Sequence, residues 1–147
     1  MSALQLELPD ARVLDLFAGS GALGLEALSR GARHAVFVER SGRAVRVLER
    51  NIQELGAMEA VQVVRRDVFQ YLDAGAPLSF DLALADPPYG QGLAWRLAQR
   101  FLQNPFARQL WVEHRVDEEL PEGAVHRRRY GDTGLTAYLD PRNAGNP

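Results

Sequence analysis

Apolar and polar positions fall into two kinds of block along this chain. Short, almost wholly apolar runs recur at Val13–Phe17, Ala35–Val38, Val61–Val64, Leu82–Ala85 and Leu110–Val112. Runs of this length read as parallel strands buried on both faces. Between them the apolar residues are spaced three or four apart. Ala44, Val45, Leu48, Ile52 and Leu55 form one such stripe, opposite the arginines of Arg40–Arg50, as on a helix with one solvated face. The pattern predicts strands near 12–17, 34–39, 60–66, 80–86 and 109–115, and helices at 21–30, 42–55, 68–74 and 92–102. Gly31 and Gly56 stand where the first two helices should stop. The ending differs, because 124–130 and 133–140 are strand-like and only Gly131-Asp132 separates them. Two such runs pair as an antiparallel hairpin. The expected fold is α/β: one domain over 1–140 with a mostly parallel, doubly wound, seven-stranded sheet closed by that hairpin. A short leading strand at 3–8 and a disordered tail at 141–147 complete the expectation.

The first candidate chemistry lies where the first strand meets its helix. In Val13-Leu-Asp-Leu-Phe-Ala-Gly-Ser-Gly-Ala-Leu-Gly24, the residues Gly19, Gly21 and Gly24 satisfy G-x-G-x-x-G. Such a turn lets a ligand approach the backbone and aims a positive helix N-terminus at it. Glu39 ends the next apolar run, where an acid would grip ribose hydroxyls. The glycines alone do not choose between a dinucleotide and S-adenosylmethionine, and a tight turn without a ligand explains them too. Asp15 tilts the choice, since a carboxylate beside the loop suits the cationic amino group of a methionine moiety and repels a pyrophosphate. Asp67 opens the third helix. An N-cap alone would explain it, and a bond to an adenine amino group beside the Val68 N–H would explain it equally well.

The second candidate is Asp86-Pro-Pro-Tyr89, at the carboxyl end of an apolar strand. Ligands of open α/β sheets bind at that edge. The prolines stiffen the loop and leave backbone carbonyls free to accept hydrogen bonds. Tyr89 offers a flat face to a base. An aryl amine is a weak nucleophile because its lone pair is delocalised into the ring. Accepting its N–H hydrogens on Asp86 and the Pro87 carbonyl favours a more pyramidal nitrogen, able to attack a sulfonium methyl in line. The expected catalysis is positioning and electrostatics, carried by Asp86, Pro87 and Tyr89.

Composition narrows the picture. The 147 residues hold one sizeable core. No run approaches the roughly 20 apolar residues of a membrane span, and no signal-peptide pattern opens the chain, so a cytoplasmic location without membrane contact is expected. Cys is absent, and His34, His114 and His126 have no ligand spacing, so no metal site is expected. The net charge of −2 is unusual for a nucleic-acid binder. The arginine-rich His126-Arg-Arg-Arg-Tyr130 reads as a charged edge strand or as a contact for phosphates.

Together, Asp15-Leu-Phe-Ala-Gly-Ser-Gly-Ala-Leu-Gly-Leu-Glu-Ala-Leu28, Asp86-Pro-Pro-Tyr89 and Arg129-Tyr-Gly-Asp-Thr133 resemble the bacterial 16S ribosomal RNA guanine-N2 methyltransferases of the RsmD type. The resemblance covers roughly residues 10–140. It implies a Rossmann-like class I methyltransferase fold, S-adenosyl-L-methionine as donor, and a guanine N2 of 16S rRNA in the small ribosomal subunit as acceptor. It also implies that Asp15 and the loop of Phe17, Ala18, Gly19 and Gly21 hold the methionine moiety. Glu39, with Arg40 beside it, would serve the ribose, Asp67 and Val68 the adenine, and Asp86 with Tyr89 the target base. One departure bears on the RNA. Members of that family usually carry a basic segment ahead of the first motif, whereas Met1–Ala11 contains no Lys or Arg. With so few cations, weak binding of free RNA and action on assembled subunits are expected. The other readings are an amino-methyltransferase of DNA or another RNA, and a non-catalytic S-adenosylmethionine-binding module. A protein-glutamine enzyme typically has Asn where Asp86 stands. A monomer is expected.

Overall fold

A computed structural model describes residues 8–75 and 80–142. Strands and helices alternate: β1 (Arg12–Leu16), α1 (Ala22–Ser29), β2 (His34–Val38), α2 (Gly42–Glu54), β3 (Val61–Val64), α3 (Val68–Asp73), β4 (Leu82–Ala85), α4 (Leu93–Gln103) and β5 (Gln109–Arg115). The hairpin β6 (His126–Tyr130) and β7 (Thr133–Leu139) ends the series. All seven strands join one sheet in the order β3-β2-β1-β4-β5-β7-β6. The pairs among β1 to β5 are parallel, whereas β7 runs antiparallel to both β5 and β6.

The expected elements from residue 12 onward are present, most of them shortened by a residue or two; β5 keeps its expected bounds, and α4 starts and ends one residue later than expected. A turn of 3-10 helix at Met58–Ala60, which the pattern did not signal, leads into β3. β3 stops at Val64, where the chain turns and the Arg66 N–H bonds the Val64 carbonyl at 3.2 Å. Leu55 leaves the expected stripe of α2. It caps the helix end and is 66% exposed, while Val45, Leu48 and Ile52 are buried. The leading strand expected at 3–8 falls, apart from the buried Leu8, outside the described residues, as do 143–147 of the expected tail.

The sheet has an apolar layer on each face. On one face, Val13, Phe37 and Leu84 meet Leu25 of α1 and Leu48 and Ile52 of α2. On the other, Leu14, Leu16, Ala83, Ala85 and Val112 meet Phe69 and Leu72 of α3 and Leu97 and Phe101 of α4. Alternation along β1 therefore turns Asp15 toward the α1 side. The hairpin is tied down from within. The fully buried Tyr138 donates its hydroxyl to the Pro121 carbonyl at 2.6 Å, and buried His114 bonds Thr136 Oγ1 at 2.8 Å. β6 is the charged edge the sequence suggested, with Arg127, Arg128 and Arg129 exposed.

Two glycines let α1 lie close to the sheet. Gly21 caps the helix at φ +86°, and a Cβ there would overlap Leu48 Cδ1. A Cβ on Gly24 would run into the Phe37 ring. Helix and strand thus approach as only a residue without a side chain allows.

Candidate active site

The strand order reverses between β1 and β4, and the loops after β1, β2, β3 and β4 open there over the carboxyl edge of the sheet. They enclose a cavity of about 670 Å³, within the usual range for small-molecule sites. Of the sequence-derived candidates, Phe17, Gly19, Glu39, Arg40, Asp67, Val68, Asp86, Pro87 and Tyr89 line it.

Asp15, Ala18 and Gly21 are not on that wall. Asp15, which the resemblance assigns to the methionine moiety, lies beneath the loop and not on the wall. It is 1% exposed, and its Oδ2 accepts the Gly24 N–H at 2.9 Å, which braces the first turn of α1 under the loop. Strand alternation sends the side chain below the loop. Burial pushes its carboxyl well above the usual range, the Gly24 bond works against that, and Asp86 and Glu39 add to the rise. Ala18 uses its N–H on the Val38 carbonyl, and Gly21 sits against Leu48.

The loop after β1 is held from the opposite side by Glu39. Its Oε1 accepts the Gly19 N–H at 2.9 Å and its Oε2 the Ser41 N–H at 2.8 Å. Each carboxylate oxygen keeps a lone pair for a further donor. Phe17 takes a left-handed backbone at φ 57°, uncommon for a residue with a side chain. Such strain is characteristic of ligand clamps. A Cβ on Gly19 would meet nothing within 4 Å, so the cavity floor beside it is open.

At the β3 end, Asp67 caps α3. Its Oδ2 accepts the N–H groups of Phe69 and Gln70 at 3.0 and 3.1 Å, and its Oδ1 lies 4.0 Å from the Arg40 guanidinium. The cap alone accounts for the residue, while Oδ1 lies toward Arg40, which also lines the cavity. Asp67→Ala is therefore expected to cost about 0.5–2 kcal/mol of stability, and Asp67→Asn much less, as urea unfolding of the two variants would show.

The wall also holds residues the motifs did not signal: Arg66, Phe69, Gln91, Leu93 and Arg96, besides Pro88. Phe69 meets Phe17 edge-on at 6.1 Å between ring centroids. Arg96 places its guanidinium carbon 3.7 Å from the Phe69 ring centre, a cation–π contact. The only available signals were spacings: Phe69 two residues past a capping acid, and Leu93 and Arg96 one helical turn apart after the prolines. An apolar residue and a surface arginine carry the same spacings on any helix.

Asp86 faces the open cavity. Partial burial and the Glu113 carboxylate push its carboxyl up to about 6. Pro87 beside it is buried, and Tyr89 is 43% exposed, near the Thr133 hydroxyl of β7. Burial and Asp86 raise the Tyr89 phenol.

The wall thus carries Glu39, Asp67 and Asp86, with Asp15 just beneath. Carboxylates so placed suit a ligand that carries a sulfonium and an ammonium, and Arg40, Arg66 and Arg96 stand on the same wall. A parallel sheet ending in a reversed strand pair, with such a cavity over its first glycine turn, defines a class I S-adenosyl-L-methionine-dependent methyltransferase. Residues 1–139 match the family model described as Conserved hypothetical protein 95, and the chain belongs to that family, the RsmD type. The putative rRNA methyltransferase YlbH of Bacillus subtilis is 36% identical over 140 residues, 86% of this chain and 74% of that one. Ribosomal RNA small subunit methyltransferase D of Escherichia coli is 34% identical over 137 residues, 88% of this chain and 67% of that one. An RNA methyltransferase from Salinibacter ruber, solved in complex with S-adenosyl-L-homocysteine, shares the fold. Its TM-score is 0.70 at 13% identity, covering 95% of this chain and 88% of that one. Among the described residues no helix is long and apolar enough to cross a membrane.

Proposed function

We propose that this chain methylates the exocyclic N2 of a guanine in 16S rRNA, acting on the assembled small ribosomal subunit. The reading is carried by one observation: Asp86, Pro87 and Tyr89 share a cavity wall with Gly19 and Glu39. A donor on the glycine side and a base on the proline side would meet there. The names of the relatives, rRNA methyltransferases, support the substrate class.

In this reading Glu39 takes ribose hydroxyls on its remaining lone pairs, with Arg40 beside it. Asp67 Oδ1 and the Val68 N–H take the adenine edge. S-adenosyl-L-methionine, when bound, supplies a methyl group on a positively charged sulfur. Asp86 and the Pro87 carbonyl accept the N–H hydrogens of the target amine and aim its lone pair at that methyl. On taking up the methyl group the amine nitrogen would shed a proton, and the Asp86 carboxylate would receive it. The raised affinity of Asp86 for protons suits that task at neutral pH. Tyr89 stacks on the base. Exposed Arg127–Arg129 on β6 run toward the same sheet edge, since β6 ends beside Thr133. A few such cations supply modest affinity for phosphates. A preformed subunit that holds its target base unstacked would lower the cost of extruding it.

The test offers labelled methyl donor with four acceptors: undermethylated small subunits, naked 16S RNA, DNA and protein. Label on guanine N2, greater with subunits than with naked RNA, is the expected result. Label on DNA or protein but not on RNA would overturn the reading.

A further inference from the structure

A second carboxylate stands beside Asp86. β4 and β5 run parallel with Ala85 opposite Val112, so the next residues along, Asp86 and Glu113, come side by side at the carboxyl edge. On β5, Leu110, Val112 and His114 are buried on one face, and Glu113 is half-buried on the other. Its neighbour on β7 is the apolar Leu135. Among the described residues, neither a hydrogen-bond donor nor a cation pairs with the Glu113 carboxylate. Its charge is nevertheless felt by the site, because it helps raise both Asp86 and Tyr89. Two adjacent acids without a donor between them repel each other. A ligand that brings donors to both would relieve that repulsion.

The bases that carry an exocyclic amine differ in the ring position next to it. Adenine N1 and cytosine N3 are lone-pair acceptors. Guanine N1 carries a hydrogen, so only guanine presents two adjacent donors, N1–H and N2–H. We propose that Glu113 is the specificity-determining residue of this site: it accepts the guanine N1–H while Asp86 accepts an N2–H. Adenine or cytosine in the same pose would turn a lone pair toward the Glu113 carboxylate. This inference rests on the reading of Asp86 as the acceptor of the target amine, and it adds how the base is chosen.

The probe is 2-aminopurine, which keeps the amine at C2 but has a bare acceptor at N1. It would replace the target guanine in 16S RNA, reconstituted into small subunits where these are needed for activity. The wild-type chain is expected to prefer guanine by about 100-fold or more in kcat/KM, as a site built around a substrate N–H rejects the analogue lacking it. Glu113→Ala should bring that ratio below about 10-fold, with Glu113→Gln between the two, while binding of S-adenosyl-L-homocysteine is retained. A merely structural role would slow both substrates alike and leave the ratio unmoved. Equal use of both bases by the wild-type chain, a result that needs no variant, overturns the inference, and so does an unchanged ratio in Glu113→Ala. If the wild-type chain methylates no guanine at all, the proposed function itself fails.

Discussion

Asp86→Ala is expected to lower turnover by about 100- to 1,000-fold, the scale of removing one preorganised hydrogen-bonding group from a reacting centre. Affinity for S-adenosyl-L-homocysteine should hardly change, because in the proposed function Asp86 meets the acceptor and not the donor. The same residue sets a pH signature. Asp86 must be ionised to take up the proton that the amine sheds, and burial with the Glu113 charge raises its carboxyl to about 6. Turnover should therefore fall about tenfold per pH unit below 6 and level off above it. Glu113→Gln removes the neighbouring charge, so it should shift that limb to lower pH. The sign for stability is opposite. A carboxyl whose folded pKa is raised contributes stability below its unfolded value near 4, and that stability is lost as pH rises through 6. Asp86→Ala should consequently be no less stable than the wild-type chain at pH 8, which separates a loss of activity from a loss of fold. Single-turnover rates across pH, with urea unfolding alongside, would check both. Full turnover in Asp86→Ala would remove the amine-positioning role.

Glu39→Ala should produce the second large effect, in cofactor affinity. The side chain holds the Gly19 and Ser41 N–H groups together, so its loss loosens the glycine loop from the end of β2 and, in the proposed function, removes a ribose acceptor. Hydrogen bonds to charged groups are worth about 1.5–3 kcal/mol each. Affinity for S-adenosyl-L-homocysteine should fall by about 10- to 100-fold. Titration calorimetry reads this directly, and Glu39→Gln, which keeps one acceptor oxygen, should fall between. Unchanged affinity in Glu39→Ala would show that the cofactor is held elsewhere.

Both residues were readable because their signals are local. Glu39 and Asp86 each end an apolar run, and a strand that ends in an acid places that acid at the ligand edge of a parallel sheet. Asp67 was readable as the opening of a helix, with two meanings, of which the hydrogen bonds of α3 show the cap.

Short apolar runs alternating with a 3.6-residue spacing set the element order of this chain by themselves. A two-residue gap forces the terminal hairpin, since no helix fits within Gly131-Asp132. The glycine turn and the Asp-Pro-Pro-Tyr loop are likewise written in contiguous residues, because backbone conformation there depends on the residues in the turn itself. Tertiary structure decided what depends on residues far apart in sequence. Asp15 lies in the first motif, yet the side of β1 it occupies and the closeness of α1 send it to the Gly24 N–H and out of the cavity. Phe69 and Arg96 meet only because α3 and α4 pack on the same face of the sheet. Glu113 reaches Asp86 through the pairing of β4 with β5, whose register is set after α4 has crossed between them. A single sequence records the period of each element. The pairing of elements is chosen by which apolar faces can be buried together, and that choice belongs to the whole fold.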